Sequence, residues 1–320
     1  RRCRYSKTGC CAIFRPMQPR VAMTDAGPVF RDWVSAVQQR TESALDRFLP
    51  PDTIAPARLH EAMRYAVLGG GKRVRPLLCH AAGSLSGASP DVLDAAACAL
   101  ELIHVYSLVH DDMPCMDDDV LRRGKPTVHV QYDDATALLV GDSLQSLAFL
   151  LLAEHCSVSP ATRVALITQL AVASGSRGMA GGQAIDLASV DLELDVEALE
   201  FMHIHKTGAL IRCAVKLGAA CGELDAVGTA KLDHYAARVG LLFQVVDDLL
   251  DCEASTAALG KTAGKDAAAN KPTYVTTLGI GRARERAREL HDEALDSLTG
   301  FGNKAQRLRE LADFVLTRQN

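Results

Sequence analysis

The sequence predicts an all-α fold, a single large domain of about ten or more helices. Apolar residues recur at spacings of three and four, which is the period of a buried helix face. Proline is absent between Pro160 and Pro272, and Ala and Leu dominate that stretch. Capped starts and glycine stops divide the rest of the chain into segments of helical length.

The same signals justify the helices in order. We place them at roughly 29–48, 56–68, 74–87, 91–113, 134–155, 161–177, 195–220, 226–252, 272–279, 281–299 and 304–318. Ser89 and Ser159 each precede a proline, which is the pattern of a cap followed by Pro at the first helical position. Gly87, Gly222 and the segment 279–281 are suited to end helices. The central helices are apolar nearly all round, so we expect them to be buried.

Composition argues against several classes of protein. Hydrophobic residues make up 48% of the 320 residues, too many for a disordered chain, and a net charge of −4 does not suggest a nucleic-acid partner. The most apolar run, 135–153, is interrupted by polar residues such as Asp142, so we expect a core helix and no stable membrane span. The cysteines from Cys79 onward have no C-x-x-C spacing, which favours a reducing, cytoplasmic location.

Residues 1–22 differ from the rest of the chain. They contain six basic residues and no acidic residue, and they lack the apolar core of a secretory signal. We interpret them as a disordered, dispensable extension translated ahead of a start at Met23, with a transit peptide as the alternative. The functional domain would then span residues 23–320.

Two aspartate clusters carry the strongest functional signal. Each has three members: Asp111, Asp112 and Asp117 in the first, and Asp247, Asp248 and Asp251 in the second. Crowded carboxylates repel one another and are costly to desolvate unless a cation neutralises them. Mg²⁺ favours carboxylates combined with substrate phosphates. Two such clusters facing one cavity would therefore hold Mg²⁺ and a diphosphate between them.

Helical spacing brings other polar residues onto the faces of these aspartates. Gln244 precedes Asp247 by three residues, and Asp251 follows it by four, so the three share one face of a helix. Solvated acids at a helix C-terminus are the alternative, but they oppose the helix dipole. In the first cluster Pro114 breaks the helix and allows the chain to bring Asp117 back.

Basic residues beside polar or glycine turns complete a site for an anion. They are Lys72, Arg73 and Arg75 after Gly69–Gly71, Arg122, Arg123 and Lys125 after the first cluster, Lys206 beside Thr207, and Lys261 and Lys265 after the second cluster. Backbone N–H groups at a glycine turn that begins a helix suit an anion. Solvated surface charge is the alternative for any one group, and the spacing of a Walker A loop is missing. A zinc pair at His203 and His205 lacks companion ligands.

Seven motifs resemble those of the trans-polyprenyl diphosphate synthases, in the order of that family. They are G-G-G-K-R-V-R-P, H-D-D-x4-D-x4-R-R-G, G-D-x-L, G-G-Q-x-x-D, H-x-x-K-T, F-Q-x-x-D-D-x-x-D and G-K-x-x-G-K-D. The two-residue expansion of the first aspartate motif is similar to bacterial-type farnesyl diphosphate synthases. The resemblance implies a helical bundle around a central cavity. It also implies an enzyme that condenses isopentenyl diphosphate with dimethylallyl and geranyl diphosphate to give farnesyl diphosphate.

The resemblance also implies a role for individual residues. Asp111 and Asp117, supported by Asp112, would bind two Mg²⁺ ions, and Asp247, with Asp248 and Asp251 around it, would bind a third; Mn²⁺ is an alternative metal. The remaining groups are the allylic diphosphate contacts Arg122, Lys206 and Lys261; the isopentenyl diphosphate contacts Lys72, Arg75, His104 and Arg123; Thr207 and Gln244 beside the reacting carbons; and Gln183 and Asp186 in the G-G-Q-x-x-D segment. Tyr106 and Ser107 would form the floor that stops chain growth at the farnesyl length. Tyr106 as an ordinary packing residue is the alternative.

Other functions stay open at this point. Geranyl or geranylgeranyl diphosphate is an alternative product, and a non-catalytic regulatory subunit of a prenyl synthase is a second alternative, although such subunits usually lose aspartates that are intact here. A terpene cyclase is disfavoured because D-D-L-L-D stands where cyclases carry N-x-x-x-S/T-x-x-x-E. The resemblance implies a homodimer, and whether the basic residue Arg318 reaches the site stays open.

Overall fold

The computed structural model describes residues 27–253 and 271–318. The prediction for residues 1–22 and the role of Lys261 therefore lie outside the described residues. The helices in chain order are α1 (Pro28–Phe48), α2 (Ala57–Val67), α3 (Val74–Ser86), α4 (Pro90–Asp111), α5 (Val128–Gln131), α6 (Asp134–Leu150), α7 (Pro160–Ser174), α8 (Met179–Ala188), α9 (Val196–His203), α10 (Ala209–Ala220), α11 (Ala226–Glu253), α12 (Tyr274–Leu278), α13 (Ile280–Ser297) and α14 (Gln306–Thr317).

Shorter elements connect these helices. A π-helical turn, Leu151–His155, continues α6, and a second, Ile204–Gly208, joins α9 to α10. A 3₁₀ turn, Gly302–Ala305, precedes α14. The two short strands β1 (Leu121–Arg122) and β2 (Lys125–Pro126) form an antiparallel hairpin after the first aspartate cluster. The all-α prediction is confirmed.

The core of the bundle is built around α3, α4, α10 and α11, as the apolar central helices predicted. α3 lies along α10, α4 packs between α3 and α6, and α11 packs against α10 and α13. Gly218 makes the closest of these approaches possible, because a Cβ atom there would lie 2.1 Å from the carbonyl oxygen of Cys79. Burial of this apolar surface is the main stabilising contribution to the fold.

The structure differs from the predicted helices mainly at α8. No helix was predicted over residues 179–188, because Gly181 and Gly182 lower helix propensity. Close packing, which the sequence does not reveal, explains why residue 182 of this helix is glycine. A Cβ atom there would lie 2.0 Å from the backbone nitrogen of Lys206, so glycine lets α8 contact the π-helical turn. That turn also interrupts the single helix predicted over 195–220.

Within residues 27–253 and 271–318, two helices are long and apolar enough to span a bilayer by length and composition. They are α4 and the continuous helix Asp134–His155, each of 22 residues. The most apolar window of α4 is 78% buried inside the bundle, as expected for a core helix, whereas that of Asp134–His155 is 39% buried. The run 135–153, which we expected to be a core helix, is thus less buried in the single chain than α4.

Candidate active site

The first aspartate cluster closes a loop at the end of α4. The N–H group of Asp117 donates to the carbonyl oxygen of Asp111 at 2.8 Å, and the N–H group of Asp119 donates to that of Asp112 at 3.1 Å. The chain thus turns back after Pro114, as its sequence predicted. The loop brings the backbone of Asp117 against that of Asp111, although the two residues are six apart.

Asp112 is the buried member of this cluster, with 3% of its surface exposed. Its carboxylate accepts from Arg122 through Nε at 3.0 Å and also through Nη2, and the same Nη2 donates to Asp119 at 3.2 Å. Burial raises the pKa of Asp112, and the Arg122 guanidinium opposes that shift. Asp112 therefore ties the loop to the β1–β2 hairpin.

Asp111 is held in a different environment from Asp112. Burial raises the pKa of its carboxyl group to about 6; Lys206 opposes this shift, and repulsion from Asp117 adds to it. A bound cation would stabilise the ionised form of Asp111, because Lys206 does not fully offset the cost of burying the charge beside Asp117.

The second cluster lies within α11 and is connected to Thr207. The hydroxyl of Thr207 donates to Gln244 Oε1 at 3.0 Å, and Gln244 Nε2 donates to Asp248 Oδ1 at 2.7 Å. The other oxygen of Asp248 accepts the backbone N–H of Tyr274 at 2.8 Å. Asp248 is 5% exposed. A continuous chain of hydrogen bonds thus runs from the π-helical turn through α11 to the start of α12.

Arg318 reaches the second cluster, which answers the question that the sequence left open. Its Nη2 donates to Asp247 Oδ1 at 2.9 Å and to the carbonyl oxygen of Phe243 at 2.7 Å. The guanidinium lies 3.8 Å from the centroid of the Phe243 ring, which adds a cation–π contact. Asp247 itself is half-buried.

Two lysines join the first cluster to α8. Lys206 Nζ lies 2.7 Å from Asp186 Oδ2, while Lys271 Nζ lies 3.2 Å from the same oxygen and 2.9 Å from Asp117 Oδ1. Burial alone would raise the pKa of Asp186, but the two lysines lower it below its usual value. Sequence reasoning missed Lys271, which stands alone before Pro272 and has the appearance of a surface lysine.

The glycine turn before α3 binds a carboxylate of the protein itself. Its three glycines have φ values of 111°, 89° and 133°, a region that favours glycine. The N–H groups of Gly69 and Gly70 donate to Glu42 Oε1 at 2.7 and 3.2 Å. In the structure the anion at this turn is the Glu42 carboxylate, and binding of a ligand anion there stays a prediction. Arg73 is structural as well, because it pairs with Glu42 at 2.7 Å and with Glu101 at 2.6 Å.

The residues assigned to the second substrate form a positive group beside this turn. Burial lowers the pKa of Arg75 to about 10, and its Nε has no hydrogen-bond partner within the described ranges. The pKa of His104 lies well below its usual value, because it is enclosed and faces Arg75 and Arg123. Arg123 Nη1 donates to the carbonyl oxygen of Gly70 at 2.7 Å, and Lys72 is half-buried in the same turn. Such a group is suited to an anionic ligand.

Tyr106 lies on α4, where it packs toward α6. Its ring is 5.7 Å from that of His110 in an edge-on arrangement, and burial raises the pKa of its hydroxyl. Ser107 donates to the carbonyl oxygen of His104 at 2.8 Å. In α8, both amide atoms of Gln183 are buried without a hydrogen-bond partner among the residues described.

The donor set fits Mg²⁺ of the kind that is completed by substrate. Within residues 27–253 and 271–318, no three acidic, His or Cys side chains lie together closely enough to hold a metal on their own. Mg²⁺ usually takes one or two carboxylates together with phosphate oxygens and water. Asp111, Asp117 and Asp247 are half-buried and can supply such carboxylates, whereas Asp112 and Asp248 are buried and hydrogen-bonded within the protein.

The fold and this arrangement of acids and bases define the isoprenyl diphosphate synthase class. A family model described as polyprenyl synthetase matches residues 56–312, and the chain belongs to this family. It is 46% identical to farnesyl diphosphate synthase of Escherichia coli over 90% of this chain and 99% of that protein.

Two solved structures extend the comparison. An FPP/GFPP synthase from Zymomonas mobilis, solved without ligand, has a TM-score of 0.82 at 41% identity and covers 90% of this chain and 99% of that one. A geranyltransferase from Helicobacter pylori, complexed with magnesium and isoprenyl diphosphate, has a TM-score of 0.79 at 33% identity and covers 91% and 97%.

Proposed function

We propose that this chain is a prenyltransferase that condenses isopentenyl diphosphate with dimethylallyl and then geranyl diphosphate to give farnesyl diphosphate. The position of Lys206 and Thr207 carries the proposal. Lys206 faces Asp111 and pairs with Asp186, while the adjacent Thr207 bonds to Gln244, one turn before Asp247. One short segment thus stands between the two acidic clusters, where a diphosphate and its reacting carbon would lie together.

The acidic residues would bind the metal. Asp111, Asp117 and Asp247 would hold up to three Mg²⁺ ions together with diphosphate oxygens, Asp251 would lie close by, and Mn²⁺ could serve instead. When bound, Mg²⁺ neutralises charge that develops on the departing diphosphate. Lys206 and Arg122 would add positive charge at the allylic diphosphate, as would Lys261, which lies outside the described residues. Lys271 joins this set, because it already lies between Asp117 and Asp186.

The positive group beside the glycine turn would bind the second diphosphate. Arg75, Arg123 and Lys72 would hold isopentenyl diphosphate, with His104 as a neutral hydrogen-bonding partner. Placing both substrates in one site supplies much of the rate enhancement, because the reacting carbons no longer need to meet by diffusion.

Dipoles beside the reacting carbons would stabilise the allylic cation that forms when the C–O bond breaks. The Gln244 side-chain oxygen, the Thr207 hydroxyl and the Lys206 carbonyl are the candidate groups. Fixed dipoles act strongly where water is excluded. The isopentenyl double bond then attacks the cation, and loss of a proton completes the step. The released diphosphate is our candidate base.

Tyr106 would set the product length. It is 8% exposed and lies about one turn before Asp111, so its ring would end the apolar space that we expect the growing product to occupy along α4. Tyr106→Ala should lengthen the product. An unchanged product distribution in this variant would leave Tyr106 as an ordinary packing residue.

One experiment tests the proposal directly. Protein starting at Met23 is incubated with Mg²⁺, isopentenyl diphosphate and dimethylallyl diphosphate, and the dephosphorylated products are identified by gas chromatography–mass spectrometry. Mainly farnesol is expected. Mainly geraniol or geranylgeraniol would keep the reaction but overturn the role of Tyr106. No product would favour the regulatory-subunit alternative, and activity restored by residues 1–22 would overturn the 23–320 domain.

A homodimer through α6 is part of this proposal. α6 leaves Leu138, Leu139 and Leu150 exposed on the surface of the single chain. An exposed apolar stripe of this kind is a candidate protein interface. Leu139→Lys should shift the mass measured by light scattering from dimer to monomer. Val227→Lys, at an exposed apolar residue on α11, is the matched control.

We also propose a reducing, cytoplasmic location without a membrane span. The described cysteines, Cys79, Cys98, Cys115, Cys156, Cys213, Cys221 and Cys252, are free thiols. Free buried thiols are usual in a reducing compartment. Fractionation of cells that express the full chain tests this, and recovery with the membranes after a salt wash would contradict it.

A further inference from the structure

Asp248 uses both of its carboxylate oxygens inside the protein. Oδ1 accepts from Gln244 Nε2 at 2.7 Å, and Oδ2 accepts from the backbone N–H of Tyr274 at 2.8 Å. The side chain is 3% exposed, and His203 Nε2 lies 3.9 Å from Oδ2. These contacts come from its own helix, from α9 and from the start of α12.

The bond to Asp248 determines which end of the Gln244 amide faces Thr207. An amide has one acceptor end and one donor end, and the surrounding partners decide its orientation. Because Asp248 can only accept, it holds the NH₂ group of Gln244 on its own side. The Gln244 oxygen is then turned toward Thr207, whose hydroxyl it binds at 3.0 Å.

This orientation matters for a cationic reaction. An oxygen directed at the reacting carbon stabilises positive charge, whereas a donor NH₂ group in the same place would destabilise it. A flipped amide would also place its donor end against Thr207 and its oxygen against the Asp248 carboxylate. Two acceptor oxygens in contact repel each other, so the flip is unfavourable.

A carboxylate is the group that can satisfy both partners. In asparagine an NH₂ donor replaces one of the two carboxylate oxygens, so either the position that faces Gln244 Nε2 or the position that faces the Tyr274 N–H group loses its acceptor. The Tyr274 bond matters in its own right, because it fixes the start of α12 three residues after Lys271. Lys271 in turn bridges Asp117 and Asp186. Asp248 thus connects the amide beside the reacting carbon to the lysine beside the diphosphate.

We propose that Asp248 is a positioning residue that fixes the Gln244 amide and the start of α12, and that it does not bind the metal. This inference rests on the proposed prenyltransferase function. The family resemblance placed Asp248 around the metal that Asp247 would bind, and the proposal gives it a separate role. Asp247, half-buried beside it, remains the candidate metal ligand.

Asp248→Asn separates the two roles. We expect kcat for farnesyl diphosphate formation to fall about tenfold or more, the scale for a misdirected dipole at a reacting centre. The KM for isopentenyl diphosphate and the Mg²⁺ concentration for half-maximal rate should stay within twofold. Asp247→Asn is the contrast, because loss of a metal ligand should raise the Mg²⁺ requirement. Binding gives a second readout: Mg²⁺ with inorganic diphosphate should raise the unfolding temperature of Asp248→Asn as much as that of the unaltered chain.

A double-mutant cycle tests whether Asp248 acts through Gln244. In a Gln244→Ala background, Asp248→Asn should change kcat less than twofold, since no amide is left to orient. An equal loss in both backgrounds would overturn the proposal, and so would recovery of Asp248→Asn at high Mg²⁺. If Asp248→Asn does not fold, Asp248→Glu is the second variant. It keeps the negative charge, but its longer side chain moves the oxygens away from Gln244 and Tyr274, so a lower kcat at an unchanged Mg²⁺ requirement supports the proposal and an unchanged kcat overturns it.

The unaltered chain separates failure of this inference from failure of the proposed function. If it forms no prenyl product, the function itself is wrong. If it forms farnesyl diphosphate and the variants give an overturning result, the function stands and Asp248 has another role.

Discussion

The two aspartate clusters share one design in different backbones. In each, the first aspartate is half-buried toward the site and the second is buried and bonded within the protein. Asp112 lies in a loop and pairs with the charged Arg122, whereas Asp248 lies in a helix and accepts from a neutral amide and a backbone N–H group. A loop needs a charged partner to hold its shape, while a helix is already held by its own hydrogen bonds. The second aspartate of the pair is therefore held by an ion pair in the loop and by neutral donors in the helix.

The largest expected effect comes from the first aspartate of each cluster. Asp111→Asn and Asp247→Asn should each lower turnover by at least about 100- to 1000-fold, because each removes charge that would hold the metal and diphosphate in the proposed function. Each should also abolish the rise in unfolding temperature produced by Mg²⁺ with inorganic diphosphate. Product formation and thermal unfolding measure the two effects.

Asp118→Asn is the matched control for these variants. Asp118 is exposed in the same loop and has φ of 51°, a conformation that asparagine tolerates. Turnover should stay within about twofold, since an exposed isosteric change away from special contacts has little effect. A large loss in Asp118→Asn would mean that loop charge in general, and not these particular aspartates, controls the rate.

The next effect tests the lysine that links the first cluster to α8. Lys271→Met should raise KM for the allylic diphosphate about tenfold, because it removes a charged partner of the anion. Steady-state kinetics at saturating isopentenyl diphosphate measure this. Lys231→Met is the control, since Lys231 bonds to the Thr299 carbonyl oxygen in another part of the bundle. If KM is unchanged in Lys271→Met, the lysine is a structural bridge alone.

The buried member of the first cluster should affect stability more than metal binding. Asp112→Asn should lower the free energy of unfolding by about 2–3 kcal/mol, because Arg122 loses its charged, buried partner. Urea unfolding without metal measures this. Asp119→Asn should cost about 1 kcal/mol or less, since Arg122 keeps its bond to Asp112. Equal losses in the two variants would mean that Asp112 contributes no more to the free energy of unfolding than Asp119 does.

A histidine outside both clusters separates acid sensitivity of the fold from that of the site. Burial lowers the pKa of His80 from 6.5 to about 4, so protonation favours the unfolded chain. Its contribution is fully present above pH 6.5 and is lost as the pH falls toward 4. His80→Gln should reduce the pH dependence of unfolding free energy between these values by about 1 kcal/mol per pH unit.

Urea unfolding across this pH range measures the effect. His234→Gln, at an exposed position on α11, is the control and should leave the slope unchanged. An unaltered slope in His80→Gln would assign the acid sensitivity to other groups.

Much of the fold followed from the sequence because helical periodicity and caps are local signals. The helices from α1 to α4 and α11 lie close to the predicted ranges. What escaped prediction depends on contacts between distant residues. Lys271 contacts Asp117, which is 154 positions away in the sequence. A glycine stands at position 182 within a helix because a Cβ atom there would collide with the backbone of Lys206. The spacing of Asp112 and Asp248 likewise did not reveal that these two carboxylates are turned inward.

The carboxylate of Glu42 gives the glycine turn a counter-ion of its own. Gly69, Gly70 and Arg73 are bound to it, and Arg123 is held against the carbonyl oxygen of Gly70. This cationic region is thus ordered before any substrate arrives, so little conformational freedom is lost on binding. The backbone N–H groups of the turn are already bound to Glu42, so a diphosphate would be recognised by side chains. Substitution of those side chains can change recognition, whereas it would leave backbone N–H groups unchanged.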